Sequence, residues 1–218
     1  MKKSNRSNVD PFIVMDVMEA ARKAEESGRK VIHMEVGQPG TPAPKLAKNI
    51  LSKELQNNNL GYTVSLGLPD LRNRISKLYG EWYNLDLNPE RVIVTTGSSG
   101  AFILSFATLF DAGDRVGIGS PGYPSYRQIL KAQNLVAVDI QTELENKFQP
   151  IADDIIKNNL NGLLVASPAN PTGSMLDKNS LKKLMECSKD NNVSFISDEI
   201  YHGIEYENKA VSALEISN

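Results

Sequence analysis

The stretch Leu163-Leu164-Val165-Ala166-Ser167-Pro168-Ala169-Asn170-Pro171-Thr172-Gly173 decides the fold of this chain. Its apolar beginning has the composition of a buried strand, and its second half is a loop in which Asn170 stands between two prolines. A strand that ends in such a loop holds one amide side chain over its carboxyl end. Because open α/β sheets bind ligands at that edge, we interpret residues 167–173 as a candidate ligand loop.

Around this stretch, segments typical of strands alternate with segments typical of helices. The predicted strands are 91–95, 115–119, 135–140, 162–166 and 193–197, and the predicted helices between them are 98–110, 125–133, 151–158 and 180–190. Such alternation indicates an α/β fold with a mostly parallel sheet and helices on both faces. The loops that follow the strands would then meet at one edge, where Gly97, Tyr123, Asn170 and Asp198 would gather.

The first 90 residues are less regular. We predict an arm helix over 12–27, a strand over 31–36, a helix over 45–57 and a helix that starts at Pro69 and places Trp82 in the core with Tyr83 beside it. Residues 37–44 contain three prolines and two glycines, which preclude regular structure. Two interpretations of this segment stay open, a loop that covers a site and a linker between the arm and the body.

The composition excludes several classes of protein. The 218 residues suit one large α/β domain, and the net charge of −2 is spread along the chain, so nothing indicates a nucleic-acid or membrane partner. No apolar run has the length of a membrane span, and the polar start lacks the core of a signal peptide. We therefore expect a cytoplasmic protein. Cys187 is the only cysteine and is predicted to pack in a helix, while His33 and His202 have no potential metal ligands near them in sequence.

Residues 96–101, Thr-Gly-Ser-Ser-Gly-Ala, follow a predicted strand and open a helix. Free N–H groups at a helix start, together with the helix dipole, suit a phosphate group, so Gly97, Ser98 and Ser99 form a candidate phosphate loop. The segment lacks the pattern of a P-loop and of a dinucleotide fingerprint. A purely structural N-cap is the alternative role of Ser98 or Ser99.

Two further strand ends carry side chains suited to a ligand. Tyr123, in Pro-Gly-Tyr-Pro, could stack on a flat ring or simply pack in a turn. Asp198 follows an apolar strand, where a partly buried carboxylate needs a cationic partner such as a protonated ring nitrogen. Tyr201 comes three residues later, and we expect Glu199 to cap a helix or to face water.

These parts together describe a site for a phosphorylated, aromatic, nitrogen-containing ring. Ser-Pro-x-Asn-Pro-Thr-Gly and Ser-Asp-Glu-Ile-Tyr, in this order, resemble the class I/II aminotransferases, fold-type I pyridoxal 5′-phosphate (PLP) enzymes related to aspartate aminotransferase. The resemblance covers essentially the whole chain. It implies PLP as cofactor, an amino acid and a 2-oxo acid as substrates, and a homodimer.

The resemblance also implies roles for the residues around the cofactor ring. Asn170 and Tyr201 would hydrogen-bond the ring oxygen, and Asp198 would keep the pyridine nitrogen protonated. Tyr123 would stack on the ring.

The remaining roles concern the phosphate and the substrate. Gly97, Ser98 and Ser99 would hold the phosphate, and Tyr62 would reach the phosphate of the neighbouring subunit. Gly37 would lie beside the substrate carboxylate.

The family's Schiff-base lysine lies in a Ser-x-Ser-Lys type motif well beyond the aspartate, whereas this sequence ends at Asn218. Lys189 and Lys209 do not match that position. We therefore expect residues 1–44 to form an arm and a substrate-side loop, residues 45–218 to form an incomplete PLP-binding domain, and the chain to be inactive alone. A PLP-dependent lyase or synthase of the same fold, and a non-catalytic PLP-binding chain, remain as alternatives.

The resemblance has a consequence for the sheet. In the family the strand corresponding to residues 91–95 pairs only with the last strand of the sheet, which comes later than Asn218 together with the penultimate strand. We therefore expect an open edge beside the neighbouring strand, and a chain that is unstable or aggregates by itself, because unpaired buried backbone groups are costly.

Overall fold

The computed structural model describes residues 2–38 and 40–217. These form two compact units, one made of the described parts of 1–10 and 69–218 and the other of 11–68. The boundary that the sequence predicts at residue 44 falls inside the second unit and stays a prediction. No helix in the described residues is long and apolar enough to cross a membrane.

The second unit contains two helices, and the first contains the sheet. The helices are α1 (Ile13–Glu26), α2 (Lys45–Asn57), α3 (Pro69–Tyr83), α4 (Gly97–Leu109), α5 (Pro124–Ala132), α6 (Ala152–Lys157) and α7 (Lys178–Asp190). The strands are β1 (Arg115–Ser120), β2 (Val136–Gln141), β3 (Gly162–Ala166) and β4 (Ser194–Asp198). Short 3-10 helices cover Asn5–Ser7, Pro89–Arg91, Leu144–Asn146 and Ala213–Glu215.

The four strands form one parallel sheet in the order β2-β1-β3-β4. Helices α5, α6 and α7 fill the connections between successive strands, as parallel pairing requires. The predicted α/β class is therefore confirmed, and these strands and helices end within two residues of their predicted positions.

Strand β3 is buried on both faces, which is why its sequence is continuously apolar. Leu163 and Val165 belong to the core cluster that contains residues of α6 and α7, whereas Leu164 belongs to the cluster that contains Phe102 and Phe106 of α4. Cys187 of α7 packs against the first cluster, as its prediction as a packing residue requires.

The prediction of a strand over 91–95 is wrong. Residue 91 ends a 3-10 helix, and the segment that follows has no strand partner in the described part of the chain. A strand forms only where a neighbour satisfies its backbone groups. Instead, the buried guanidinium of Arg72 donates to the carbonyl of Val92 at 2.9 Å, and the side chain of Ile93 is 58% exposed. Strand β4 pairs only with β3 among the described residues, which is the open edge that the sequence predicts.

The prediction of a strand over 31–36 is also wrong. This segment of the second unit makes no strand pairing within the described residues. His33 lies between two carboxylates, at 2.7 Å from Glu35 and 3.0 Å from Glu25. Hydrogen bonds to Glu35 and then to Glu25 raise the pKa of His33. The segment therefore makes side-chain hydrogen bonds where the prediction had backbone hydrogen bonds to a neighbouring strand.

Helix α3 differs from its prediction at its end. Trp82 is exposed rather than in the core, and its ring lies against Gly203 in the turn after β4. Tyr83 is half-buried, and the ammonium of Lys209 lies 4.9 Å from the centre of its ring. The end of α3 therefore packs on the segment that follows β4.

Asp177 caps α7, and this allows a test of the helix. Its carboxylate accepts from the backbone N–H of Ser180 at 3.0 Å and from its hydroxyl at 3.0 Å, and these bonds, the backbone bond first, lower the pKa of Asp177. We expect Asp177→Ala to weaken the helix by about 1 kcal/mol, which is about a fivefold increase in amide exchange over α7. Asp177→Asn is the matched control and should retain most of the protection.

The same cap predicts a pH dependence with a defined sign. Because the folded pKa of Asp177 lies below its unfolded value of 3.8, the stabilisation is complete above that value and is lost as the pH falls through the folded pKa. The ratio of exchange rates between Asp177→Ala and wild type, measured by mass spectrometry, should decrease as the pH falls below 3.8, because the protonated carboxyl is the weaker acceptor. A ratio that stays constant from pH 7 to pH 3 contradicts this account.

Candidate cofactor-binding site at the carboxyl edge of the sheet

Asp198 is the last residue of β4 and the most unusual charge in the sheet. It is 9% exposed, and its carboxylate accepts from the Tyr126 hydroxyl at 2.5 Å and from the backbone N–H of Ile200 at 3.1 Å. Both donors are neutral, and no ion pair within the described residues includes Asp198. A buried carboxylate is costly without a cation, so this site is suited to a positively charged ligand.

Tyr126, on α5, is a functional residue that the sequence analysis missed. Burial, and then the hydrogen bond to Asp198, raises the pKa of Tyr126, so its hydroxyl remains a donor to the carboxylate. Its ring lies edge-on to Tyr123 at 5.4 Å and to Phe102 of α4 at 5.2 Å between centroids. The spacing of three residues from Tyr123, which places the two on neighbouring positions of a helix start, was the signal that could have found it.

The loop 167–173 brings Asn170 to the end of β4. The Asn170 amide donates to the Tyr201 hydroxyl at 3.2 Å, and the backbone N–H of Ser167 donates to the carbonyl of Asp198 at 3.1 Å. The loop also closes on itself, because the N–H of Gly173 donates to the carbonyl of Ala169 at 2.7 Å. Three of the predicted residues, Asn170, Asp198 and Tyr201, are thus gathered at one edge.

Tyr123 stands at the start of α5, half-buried, and lines the same cleft as Asn170. The preceding Gly122 makes this approach possible, since a Cβ atom there would lie 2.3 Å from the carbonyl oxygen of Gly119. The aromatic ring is therefore held at the end of β1, beside the strand that ends in the Asn170 loop.

The start of α4 has the form of an anion site. Thr96 occupies the N-cap position and makes no side-chain capping bond. Ser98 and Ser99 lie inside the helix instead, so the alternative that one of them is the N-cap is wrong. Gly97 begins the helix with φ of +74°, a conformation that favours glycine. Ser98 and Ser99 are exposed in the first turn, where backbone N–H groups lack helical partners. Phe102, further along α4, packs edge-on against the ring of Tyr126.

The two remaining predicted residues, Gly37 and Tyr62, belong to the second unit. Both are exposed within that unit, and their roles at the substrate and at a neighbouring phosphate stay predictions. The segment predicted as a covering loop or linker includes Pro39, which lies outside the described residues.

Lys189 and Lys209, the two lysines nearest the end of the sequence, lie away from this site. Lys189 is in the last turn of α7, which leads to the amino end of β4, whereas Asp198 ends that five-residue strand, about 13 Å away along it. The ammonium of Lys209 donates to the carbonyl of Trp82 and lies over the ring of Tyr83.

Glu199 takes the first of its two alternative predicted roles, that of a cap. Its carboxylate accepts from the N–H of Ala213 at 2.7 Å and from the hydroxyls of Ser197 and Ser212 at 3.0 and 2.9 Å, so it caps the short helix Ala213–Glu215. It does not face water, since its side chain is 14% exposed.

The fold and this site define a parallel α/β domain that can hold a flat, cationic ring bearing an anionic group. Residues 29–218 match the family model for aminotransferase class I and II. The chain therefore belongs to that family.

Individual relatives agree with this assignment. Valine–pyruvate aminotransferase from Mycobacterium tuberculosis is 41% identical over 204 residues, which are 93% of this chain and 53% of that protein. The (5-formylfuran-3-yl)methyl phosphate transaminase of Methanocaldococcus jannaschii is 35% identical over 210 residues, 95% of this chain and 54% of that protein. The chain spans about half the length of the curated relatives it matches.

Solved structures show the same similarity in three dimensions. A structure from Silicibacter pomeroyi, provisionally assigned as an aminotransferase, is 61% identical with a TM-score of 0.90, and the match covers 100% of this chain and 56% of that one. An aminotransferase structure from Mycobacterium tuberculosis is 38% identical with a TM-score of 0.92, over 99% of this chain and 56% of that one.

Proposed function

We propose that this chain is the N-terminal part of a PLP-dependent aminotransferase, which transfers an amino group between an amino acid and a 2-oxo acid. The observation that supports this most is Asp198, a buried carboxylate with neutral hydrogen-bond donors only, next to the Asn170–Tyr201 pair. The family is known to use PLP, and the relatives named above are aminotransferases. Cofactor, substrates and reaction all belong to the proposal.

The described residues fit PLP. Asp198 would pair with the ring nitrogen and keep it protonated, since a carboxylate nearby favours the cationic form. Asn170 and Tyr201 would hydrogen-bond the ring oxygen, Tyr123 would stack on the ring face, and the N–H groups at the start of α4 would bind the phosphate. When bound, PLP supplies an electron sink for the charge left when an amino acid loses its α-proton.

The protein's contribution is to hold that charge distribution in place before reaction. The low exposure of Asp198 strengthens its attraction to a cation, because the surrounding dielectric is low. Tyr126 fixes one carboxylate oxygen and Ile200 the other, so the carboxylate has one orientation. A carboxylate held in this way needs no reorganisation during the reaction.

Binding of PLP to the 218-residue chain tests the cofactor assignment. We expect a saturable visible absorbance band that survives dialysis and that borohydride does not fix to the protein, because Lys189 and Lys209 are held elsewhere. Pyridoxal without the phosphate should bind more weakly, since it lacks the group that α4 would hold. Absence of saturable binding contradicts the proposed function.

Amino transfer is tested in a chain that also carries what the longer relatives have. We would join this chain to the C-terminal part of the Mycobacterium tuberculosis valine–pyruvate aminotransferase and supply an amino acid and a 2-oxo acid. Exchange of the amino group is the expected result. Elimination or condensation products without amino transfer would favour a lyase or synthase, and PLP binding without either reaction would favour a non-catalytic chain.

A homodimer and a cytoplasmic location are part of the same proposal. The homodimer is supported by the resemblance of Tyr62 to a residue that serves the neighbouring subunit, and the location by the family resemblance. Sedimentation of the joined chain described above would report the dimer.

A further inference from the structure

His202 connects three separate segments at the site and has no role in the function proposed above. It directly follows Tyr201, and its side chain is 6% exposed. Nδ1 lies 2.5 Å from the hydroxyl oxygen of Tyr83 at the end of α3, and Nε2 lies 3.0 Å from the carbonyl oxygen of Ser167, the first residue of the loop that carries Asn170.

The two hydrogen-bond partners define the tautomer of the ring, since the Glu199 carboxylate, 3.7 Å from Nδ1, lies beyond hydrogen-bond distance. A carbonyl oxygen only accepts hydrogen bonds, so Nε2 must carry the proton that it shares with Ser167. In a neutral imidazole Nδ1 is then the acceptor, and the Tyr83 hydroxyl donates to it. Burial, and then the charge of Glu199, raises the pKa of Tyr83, so this hydroxyl keeps its proton. The bonds therefore run from Tyr83 to His202 and from His202 to Ser167.

Both ends of this connection are fixed independently. α3 is anchored by buried Arg72, which donates to the carbonyls of Val92 and Pro89 at 2.9 Å each. The N–H of Ser167 continues the β3–β4 ladder by donating to Asp198, which leaves its carbonyl to His202. Ser167 is itself buried, and a buried carbonyl without a donor is costly. Loss of the imidazole would therefore leave the Ser167 carbonyl without this donor and destabilise the start of the loop.

We propose that His202 is a positioning residue that sets the separation between the two loops carrying Asn170 and Tyr201. Because His202 adjoins Tyr201 and bonds the residue that begins the Asn170 loop, it fixes the 3.2 Å contact between the two side chains. It thereby places the pair for the ring oxygen of PLP. The role in PLP binding rests on the proposed function, whereas the role in holding the loops does not.

Two substitutions at His202 distinguish the effect of its hydrogen-bond donor from the effect of the size of its ring. In His202→Gln the side-chain amide can still donate to Ser167, whereas His202→Phe keeps a ring and loses both hydrogen bonds. Tyr83→Phe removes only the donor to Nδ1 and provides a milder variant in case His202→Phe does not fold. Lys209→Met is the control, since Lys209 contacts Trp82 and Tyr83 but neither ring nitrogen.

The first readout is amide hydrogen exchange of the peptide over 167–176 in the 218-residue chain, which does not depend on PLP. We expect exchange to be about tenfold faster in His202→Phe, which loses two hydrogen bonds, and about threefold faster in Tyr83→Phe, which loses one. His202→Gln, which keeps the donor to Ser167, should exchange no faster than Tyr83→Phe, and Lys209→Met should match the wild type. Unchanged exchange in His202→Phe, or in Tyr83→Phe if the former does not fold, overturns the proposal.

The second readout is PLP itself, followed by its dissociation constant and by the absorbance maximum of the bound form. We expect a dissociation constant about tenfold higher and a displaced maximum in His202→Phe, with His202→Gln close to the wild type. Looser loops with unchanged affinity and maximum would overturn the role of His202 toward PLP. If the wild-type chain binds no PLP while His202→Phe loosens the loops, the proposed function fails and the loop-positioning role stands.

Discussion

We expect the replacement of Asp198 with asparagine to lower the affinity of the chain for PLP by roughly 150-fold to 5,000-fold, since removing one partner of a buried ion pair costs about 3–5 kcal/mol. Asparagine has nearly the same shape, but its single amide oxygen can accept from only one of Tyr126 and Ile200, so the loss combines the charge with one hydrogen bond. The measurement is a titration with PLP followed by absorbance. The stability of the chain without PLP should not fall, because the substitution removes a buried charge that has no cationic partner in the described residues.

Two further variants make this result specific. Tyr126→Phe leaves the carboxylate charged and removes one donor, so the affinity should fall by about tenfold or less. Asp139→Asn makes the same acid-to-amide change on β2, where Asp139 is partly exposed and paired with Arg127, and it should leave PLP affinity unchanged. An affinity of Asp198→Asn within about threefold of the wild type would contradict the pairing of Asp198 with the ring nitrogen.

The central part of the fold could be predicted because its signals are local. Residues 115–198 alternate between apolar runs and amphipathic segments, and most buried residues of these runs share a cluster with the helices that flank them in sequence. The strand predicted over 91–95 has an equally apolar composition but fails, because a strand requires a neighbour and none is paired to it among the described residues. Pattern alone does not include that requirement.

The candidate site likewise contains residues that could be predicted from local sequence and residues that could not. Asn170, Asp198 and Tyr201 could be predicted because short motifs at strand ends carry them. Tyr126 and His202 could not be assigned from the sequence, since their roles depend on partners that are 72 and 35 residues away. Such contacts arise only when the sheet has brought the loops together, although the spacing of Tyr123 and Tyr126 was a local signal.

The surface of the first unit leads to the second large effect, self-association of the 218-residue chain. Helix α4 buries Phe102 and Phe106, yet Ile103 and Leu104 on its other side are 50% and 55% exposed. Ile93, in the segment before α4, is also largely exposed, and within the described residues this segment pairs with no strand and β4 pairs with β3 alone. Apolar patches and unpaired strand edges both promote association, so we expect species larger than a dimer at tens of micromolar.

A charge on α4 should reduce this association. We expect Leu104→Lys to raise the concentration at which light scattering begins by about threefold to tenfold, because it interrupts the apolar patch without removing a buried contact. Ile156→Lys on α6 is the matched control, since Ile156 is 64% exposed and lies outside this patch. It should leave the onset almost unchanged.

The joined chain that contains the C-terminal part of the Mycobacterium tuberculosis relative tests the same surface from the other side. If that part covers α4 and pairs with β4, large species should disappear and a cooperative thermal transition should be seen, because the exposed apolar groups become part of a core. A cooperative melt and a single small species for the 218-residue chain alone would contradict this expectation. That result would mean that the four-stranded sheet is stable with its edge open.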